Sequence, residues 1–180
     1  MSDVRPTRIL TVCLGNICRS PTAEAAILEA AAAMGVEVEV DSAGTGDWHL
    51  GHPPDSDMRA AAAADGLELR GTAQKVDARL LSWADLVLVM DRTNLADVAQ
   101  LAERAGISTP VQLFREFDPE RSDPDERLHA PDEVPDPYGG PAEGFAEVVR
   151  ICRRTARALI AALPSRHEAP RDARQDGGAS

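Results

Sequence analysis

Val12–Pro21 reads V-C-L-G-N-I-C-R-S-P and lies between a short apolar run, Ile9, Leu10 and Val12, and an Ala-rich run from Pro21 to Met34 that is broken at Gly35. The first run fits a buried strand and the second a helix, with Pro21 suited to a first helical position. The stretch between them is a tight loop. Such a loop aims several backbone N–H groups at one point beyond the carboxyl end of the strand, where the helix N-terminus adds about half a positive charge. It is an anion cradle. Cys13 opens it and Arg19 closes it six residues later, so a thiol and a planar, permanently charged fork face one tetrahedral oxyanion. Helix N-termini and neighbouring cations favour the thiolate, the nucleophilic form of cysteine, and Ser20 is placed to donate a hydrogen bond to it. Leu14, Gly15, Asn16, Ile17 and Cys18 complete the loop. Gly15 permits close backbone approach, and Asn16 tolerates left-handed dihedrals and can brace the turn. A Cys and an Arg at this spacing make a weak pattern alone; the filled-in loop between strand and helix makes it a strong one. The competing reading is a buried structural Cys13 and a surface Arg19.

The composition suits one domain with a tail, 180 residues with 43% apolar content. A net charge of −11 and a pI of about 4.7 argue against nucleic acid or an anionic membrane as partner. No segment has the length of a membrane span and the N-terminus lacks a signal-peptide pattern, so a cytoplasmic protein is expected. Three cysteines form no disulfide framework, and the four histidines have no zinc-like spacing with them, so neither metal nor other cofactor is implied.

Strands alternate with helices along the chain, which implies an α/β fold with a parallel sheet. Val36, Val38 and Val40 alternate with Glu37 and Glu39 as in an edge strand; Asp85–Met90 is a continuous apolar run typical of a central strand; Pro110–Phe114 makes a fourth. Helices are expected over Asp57–Asp65, stopped by Gly66, over Val76–Trp83, and from Leu95 to Ala105 before Gly106, the last capped by Asp91, which also serves as a secondary supporting residue near the active face. Phe145, Val148, Val149, Cys152, Ala156, Leu159, Ile160 and Leu163 form the apolar face of a closing helix. Arg150, Arg153, Arg154 and Arg157 form its solvated side. A loose leader over 1–7, a domain over 8–163 and a disordered polar tail over 164–180 complete the organisation.

In the loop and in this order of elements, over most of Arg8 to Leu163, the sequence resembles the low-molecular-weight protein tyrosine phosphatases. The resemblance implies a three-layer sandwich around a four-stranded parallel sheet in the order 2-1-3-4, with the phosphate loop after strand one, at the switch point where such sheets bind ligands. It implies a metal-independent hydrolase acting on phosphotyrosine-bearing proteins and other aryl phosphates through a phosphocysteine intermediate; the sequence leaves the oligomeric state open, a monomer being the expectation. Cys13 would be the nucleophile and Arg19 the phosphate ligand. Within S-A-G-T-G-D-W-H-L-G, Ser42–Gly51, Ser42 would brace Asn16 and Trp48 would line the substrate pocket, core packing being the alternative for Trp48; His49 and His52 read as rim or structural residues. Asp136-Pro137-Tyr138 would supply the general acid and an aromatic wall. It is preferred over Asp118-Pro119 and Asp123-Pro124 because tyrosine follows and a strong helix comes next. All three pairs fall in a stretch, Asp118–Gly140, that reads as a long polar surface loop.

The sequence departs from the family pattern in two places. Gly139 stands where relatives often have a second tyrosine, and Gly71 and Thr72 lie where many carry a histidine supporting the loop asparagine, so a softer loop leaning on Ser42 is expected. Cys18, by the same resemblance, could pair reversibly with Cys13; otherwise it is a small buried residue. Three rival readings are weaker. An arsenate reductase of this fold needs two further cysteines, and none lies between Cys18 and Cys152. A protein-arginine phosphatase tends to have threonine at the place of Ile17. A non-catalytic phosphotyrosine-binding module has no use for Cys13, Arg19 and Asp136 together.

Overall fold

Strand β1, Thr7–Cys13, lies between two neighbours in a four-stranded sheet of order β2-β1-β3-β4. The computed structural model describes residues 5–121 and 132–163. All strand pairs are parallel: β1 pairs with β2, Val38–Gly44, from Thr7↔Val38 to Cys13↔Gly44, and with β3, Leu86–Val89, from Ile9↔Leu86 to Val12↔Val89; β3 pairs in turn with β4, Val111–Leu113. The expected architecture and strand order are those found.

Alternation along β1 divides the core into two layers. Ile9 and Cys13 face helices α1, Arg19–Met34, α2, Ser56–Ala64, and α5, Ala142–Ala162, with Ile27, Met58 and Leu159 filling the space. Leu10 and Val12 face α3, Ala78–Trp83, and α4, Arg92–Ala105, through Leu80, Leu81 and Val98. Asp55, Asp77 and Asp91 cap α2, α3 and α4, each accepting from N–H groups of the following first turn. Helix α1 ends at Gly35 in the left-handed conformation, φ 66°. It begins two residues before Pro21. Proline costs nothing there, because the first-turn N–H groups have no intrahelical partner.

Three expectations change. Of the leader, Thr7 already belongs to β1 and Arg5 pairs with Asp85 at 2.6 Å, so the described part is held to the domain. Asp118 and Val134, expected on a surface loop, are 2% and 1% exposed; the interior of that loop, with Asp123-Pro124, and the tail lie outside the described residues. Finally, the arginine side of α5 is not uniformly solvated. Arg153 bridges to Glu29 and Asp65 at 2.6 and 2.7 Å, and Arg154 pairs with Asp118 at 2.7 Å. These two flank the apolar stripe, where neighbouring elements bring carboxylates to them.

Leu159 is fully buried between α5 and the sheet. Leu159→Ala is expected to lower unfolding free energy by about 2–5 kcal/mol in urea titration, whereas Arg157→Ala, at an exposed position, should stay within about 0.5 kcal/mol of the parent.

Candidate active site

The loop between β1 and α1 turns on Asn16, the one non-glycine residue with positive φ among the described residues, at 55°. Its side chain holds that turn. Nδ2 donates to Ser20 Oγ at 2.8 Å and to Ser42 Oγ at 3.0 Å, while Oδ1 accepts the Gln74 N–H at 2.9 Å. The last bond fixes which end of the amide is oxygen. With Ser20 Oγ already accepting from Asn16, the nearest acceptor for its own hydrogen is Cys13 Sγ, 3.1 Å away, ahead of the Ala43 carbonyl at 3.4 Å. The Asn16 N–H also points at Sγ, 3.2 Å. Cys13 sits 2% exposed at the floor of the loop, with the Asn16 N–H directed at its sulfur and Ser20 Oγ in hydrogen-bond contact with it.

Without that histidine, Asn16 does not lean on Ser42 alone. A backbone N–H, that of Gln74, does the bracing, and the Gln74 side chain is itself held by Asp41 and the Ser42 carbonyl, both at 2.9 Å. Close backbone approach is needed at Gly44 more than at Gly15: a Cβ on Gly44 would lie 2.6 Å from the Leu14 carbonyl oxygen, whereas one on Gly15 would meet side chains, the His49 ring at 3.1 Å and Ile17 at 3.6 Å. The strand end and the loop are stitched there by Thr45 N–H to the Cys13 carbonyl and Gly46 N–H to the Leu14 carbonyl, 2.9 and 2.8 Å.

Arg19, 3% exposed, closes the loop. Nη1 donates to Asp91 Oδ2 at 2.7 Å and to the Val134 carbonyl at 3.3 Å; Nη2 lies 3.5 Å from Asp136 Oδ2. Burial works against its charge, but the Cys13 sulfur and the two carboxylates outweigh it and hold its pKa above the ordinary value. Asp91 thus caps α4 with one oxygen, 2.7 Å from the Asn94 N–H, and orients Arg19 with the other. Asp136 stands at the rim, its side chain 48% exposed, with Oδ1 accepting the Tyr138 N–H at 3.2 Å.

Cys13, Arg19 and Asp136 open onto one cavity of about 150 Å³, bounded below by Cys13–Gly15 and Ile17–Arg19 and above by Trp48, His49, Asp136 and Tyr138. Trp48 and Tyr138 are 69% and 59% exposed, as walls rather than core. His49, read as rim or structural, is a wall residue too, its ring centroid 5.8 Å from that of Tyr138. The geometry offers a buried thiol, a buried guanidinium and a carboxyl at the mouth, all facing a space for a phosphoryl group under an aromatic collar.

The family model described as low molecular weight phosphotyrosine protein phosphatase matches residues 8–169. The chain belongs to that family. A low molecular weight protein-tyrosine-phosphatase of Streptomyces coelicolor is 37% identical over 158 residues, covering 87% of this chain and 93% of the relative; low molecular weight protein-tyrosine phosphatase A of Mycobacterium tuberculosis is 35% identical over 171 residues, 93% of each. Among solved structures, a protein tyrosine phosphatase from Entamoeba histolytica superposes with a TM-score of 0.76 at 29% identity, covering 86% of this chain and 95% of that one, and YfkJ from Bacillus subtilis with 0.75 at 31%, covering 89% and 96%. The protein is a low molecular weight protein-tyrosine-phosphatase, a hydrolase.

In this phosphatase Cys18 and Cys152 are free thiols, buried like Cys13, and burial pushes the pKa of each upward. Among the described residues no group of three metal-ligating side chains is assembled, and no helix is long and apolar enough to cross a membrane. Sequence reasoning missed Gln74, Gly44 and Glu24. Glu24 lies half-buried in a second cavity of about 210 Å³ behind the loop, with Asp41, Ser42 and Gln74. Burial, assisted by Asp41 and opposed by Ser42, pushes its pKa from 4.5 up to about 7. The only advance signal for Glu24, one of two carboxylates on α1 with Glu29, was its place between alanines.

Two outcomes are expected. The folded state binds the Glu24 proton more tightly than the unfolded chain, so this residue's contribution to stability is fully present below about pH 4.5 and is lost as pH rises through about 7. Glu24→Gln should raise the urea midpoint at pH 8 and leave it unchanged near pH 4.5. Asp91→Asn, which weakens the hold on Arg19, should raise the inhibition constant for inorganic phosphate by about tenfold, the worth of roughly 1.4 kcal/mol in a charged hydrogen bond.

Proposed function

We propose that this phosphatase hydrolyses phosphotyrosine in polypeptides, and other aryl phosphates, by two successive displacements at phosphorus, through a phosphocysteine intermediate and without a metal ion. The observation that carries the reading is the convergence of Cys13 Sγ, the Arg19 guanidinium and Asp136 on one cavity, with Ser20 and the Asn16 N–H directed at the sulfur. In the first step the Cys13 thiolate attacks phosphorus, the bond from phosphorus to the tyrosine oxygen breaks, and Asp136 gives its proton to that oxygen. In the second, water attacks phosphorus, Asp136 takes back a proton, and the phosphorus–sulfur bond breaks. Ser20 then stabilises the departing thiolate. Loop N–H groups and Arg19 carry the charge of the phosphoryl oxygens through both steps.

The collar supports an aryl substrate. A phenyl ring standing on the phosphate has Trp48 and Tyr138 beside it and the Ile17 side chain at the loop edge. The substrates are phosphotyrosine-bearing proteins of the cytoplasm. Net charge of −11 disfavours nucleic acid and anionic membrane surfaces as further partners.

The test is phosphate release from matched phosphotyrosine, phosphoarginine and phosphoserine peptides with a chelator present. Chelator-resistant turnover of the phosphotyrosine peptide alone is expected, and none by Cys13→Ser. Asp136→Asn should slow the first step by about 10²–10³-fold for poor leaving groups, within the range for a lost general acid. Preference for phosphoarginine, or full activity in Cys13→Ser, would overturn the reading.

A further inference from the structure

The approach to Asp136 is held by an ion-pair network that is deeply buried at its centre and that the reaction itself does not use. Arg115 and Asp118 have side chains 1% and 0% exposed, with Nε 3.0 Å from Oδ2. Asp118 also accepts from Arg154 of α5, Nε at 2.7 Å and Nη2 at 2.8 Å, and from the Glu120 N–H at 2.9 Å. The second arm of the Arg115 fork, Nη1, leaves this cluster and donates to the Glu133 carbonyl at 3.1 Å. The next residue, Val134, is 1% exposed; its N–H donates to the Met90 carbonyl at the end of β3, 2.8 Å, and its carbonyl accepts from Arg19. Consecutive peptide groups are thus pinned on both sides of Val134. From there to Asp136 the chain passes only Pro135, and Pro137 follows, so φ is fixed by a ring on either side of the carboxyl.

We infer that Arg115 is a positioning residue for the general acid: clamped by Asp118 to helix α5, it holds the Glu133 carbonyl and so sets where Asp136 stands over the phosphoryl site. Buried ion pairs add little stability over apolar residues of equal volume, and an apolar side chain could fill this space but could not reach Glu133 with a directed hydrogen bond. The guanidinium can do both because its Nε and Nη1 donors point in different directions. The inference rests on the acid role proposed for Asp136.

The test compares kcat/KM across a series of aryl phosphates of graded leaving-group acidity for the parent, Asp136→Asn and Arg115→Lys. Lysine keeps the charge beside Asp118 but cannot also reach Glu133. Arg115→Lys is expected to lose about tenfold with the least acidic phenol and less than about twofold with the most acidic, while the inhibition constant for inorganic phosphate stays within about twofold of the parent. An equal loss across the whole series, or no loss, overturns the inference, since a merely structural role lowers the active fraction without regard to leaving group. If Asp136→Asn shows no dependence on leaving group, the acid role itself falls; if it does and Arg115→Lys does not, only the positioning role falls. Should the lysine variant not fold, Asp118→Asn, which releases the other end of the clamp, is read by the same slopes and the same criteria.

Discussion

A loop that turns its backbone N–H groups inward toward an anion gives up the hydrogen bonds that would otherwise hold it, and side chains must supply the holding. Here Asn16 does most of it. Its left-handed backbone reverses the loop, and its amide ties together α1 through Ser20, β2 through Ser42 and the segment before α3 through Gln74. Three separate pieces of chain meet in one side chain. Ser20 receives one of those bonds and lies 3.1 Å from the Cys13 sulfur, so the brace and the proposed nucleophile share Ser20 Oγ. A change to the brace is therefore felt at the sulfur, even when it is made behind the loop.

A second constraint is the handling of buried charge. Arg19 is almost wholly enclosed, and an isolated guanidinium there would be costly. Asp91, the Val134 carbonyl and Asp136 surround it. These partners come from the end of β3, from the segment after the polar loop, and from the site itself, so the folding of distant parts of the chain is read out at one side chain. The same residues that neutralise Arg19 also bring Asp136 over the cavity. Electrostatic need and the geometry proposed for catalysis are met by the same contacts.

Much of this was legible in the sequence. The strand–loop–helix and the central run Asp85–Met90 declare their elements by local composition, while the sheet order came only with the family resemblance. Cys13, Arg19, Asn16 and Ser42 stand where the loop motif puts them. What the sequence hid were contacts made by backbone atoms or across long separations. Gln74 acts through its N–H, which every residue but proline possesses, so its identity gave no signal. Asp118 looked like one more residue in a run of acids and prolines, because only its partners, Arg115 and Arg154, distinguish it from its exposed neighbours. The arginines of α5 had the period of a solvated face; whether an arginine on the flank of a helix meets water or a carboxylate depends on what packs beside it. Gly44 was overshadowed by Gly15, the glycine inside the motif, although the tight approach falls on the strand opposite.

The indole of Trp48 folds back over Gly46, so closely that a Cβ added to Gly46 would stand 2.0 Å from ring carbon Cζ3. Any side chain at position 46 would displace that wall of the cavity. The two positions are therefore coupled: the aromatic at 48 can change while 46 stays glycine, whereas a side chain at 46 requires the indole to leave or to re-aim, and the shape of the collar changes with it.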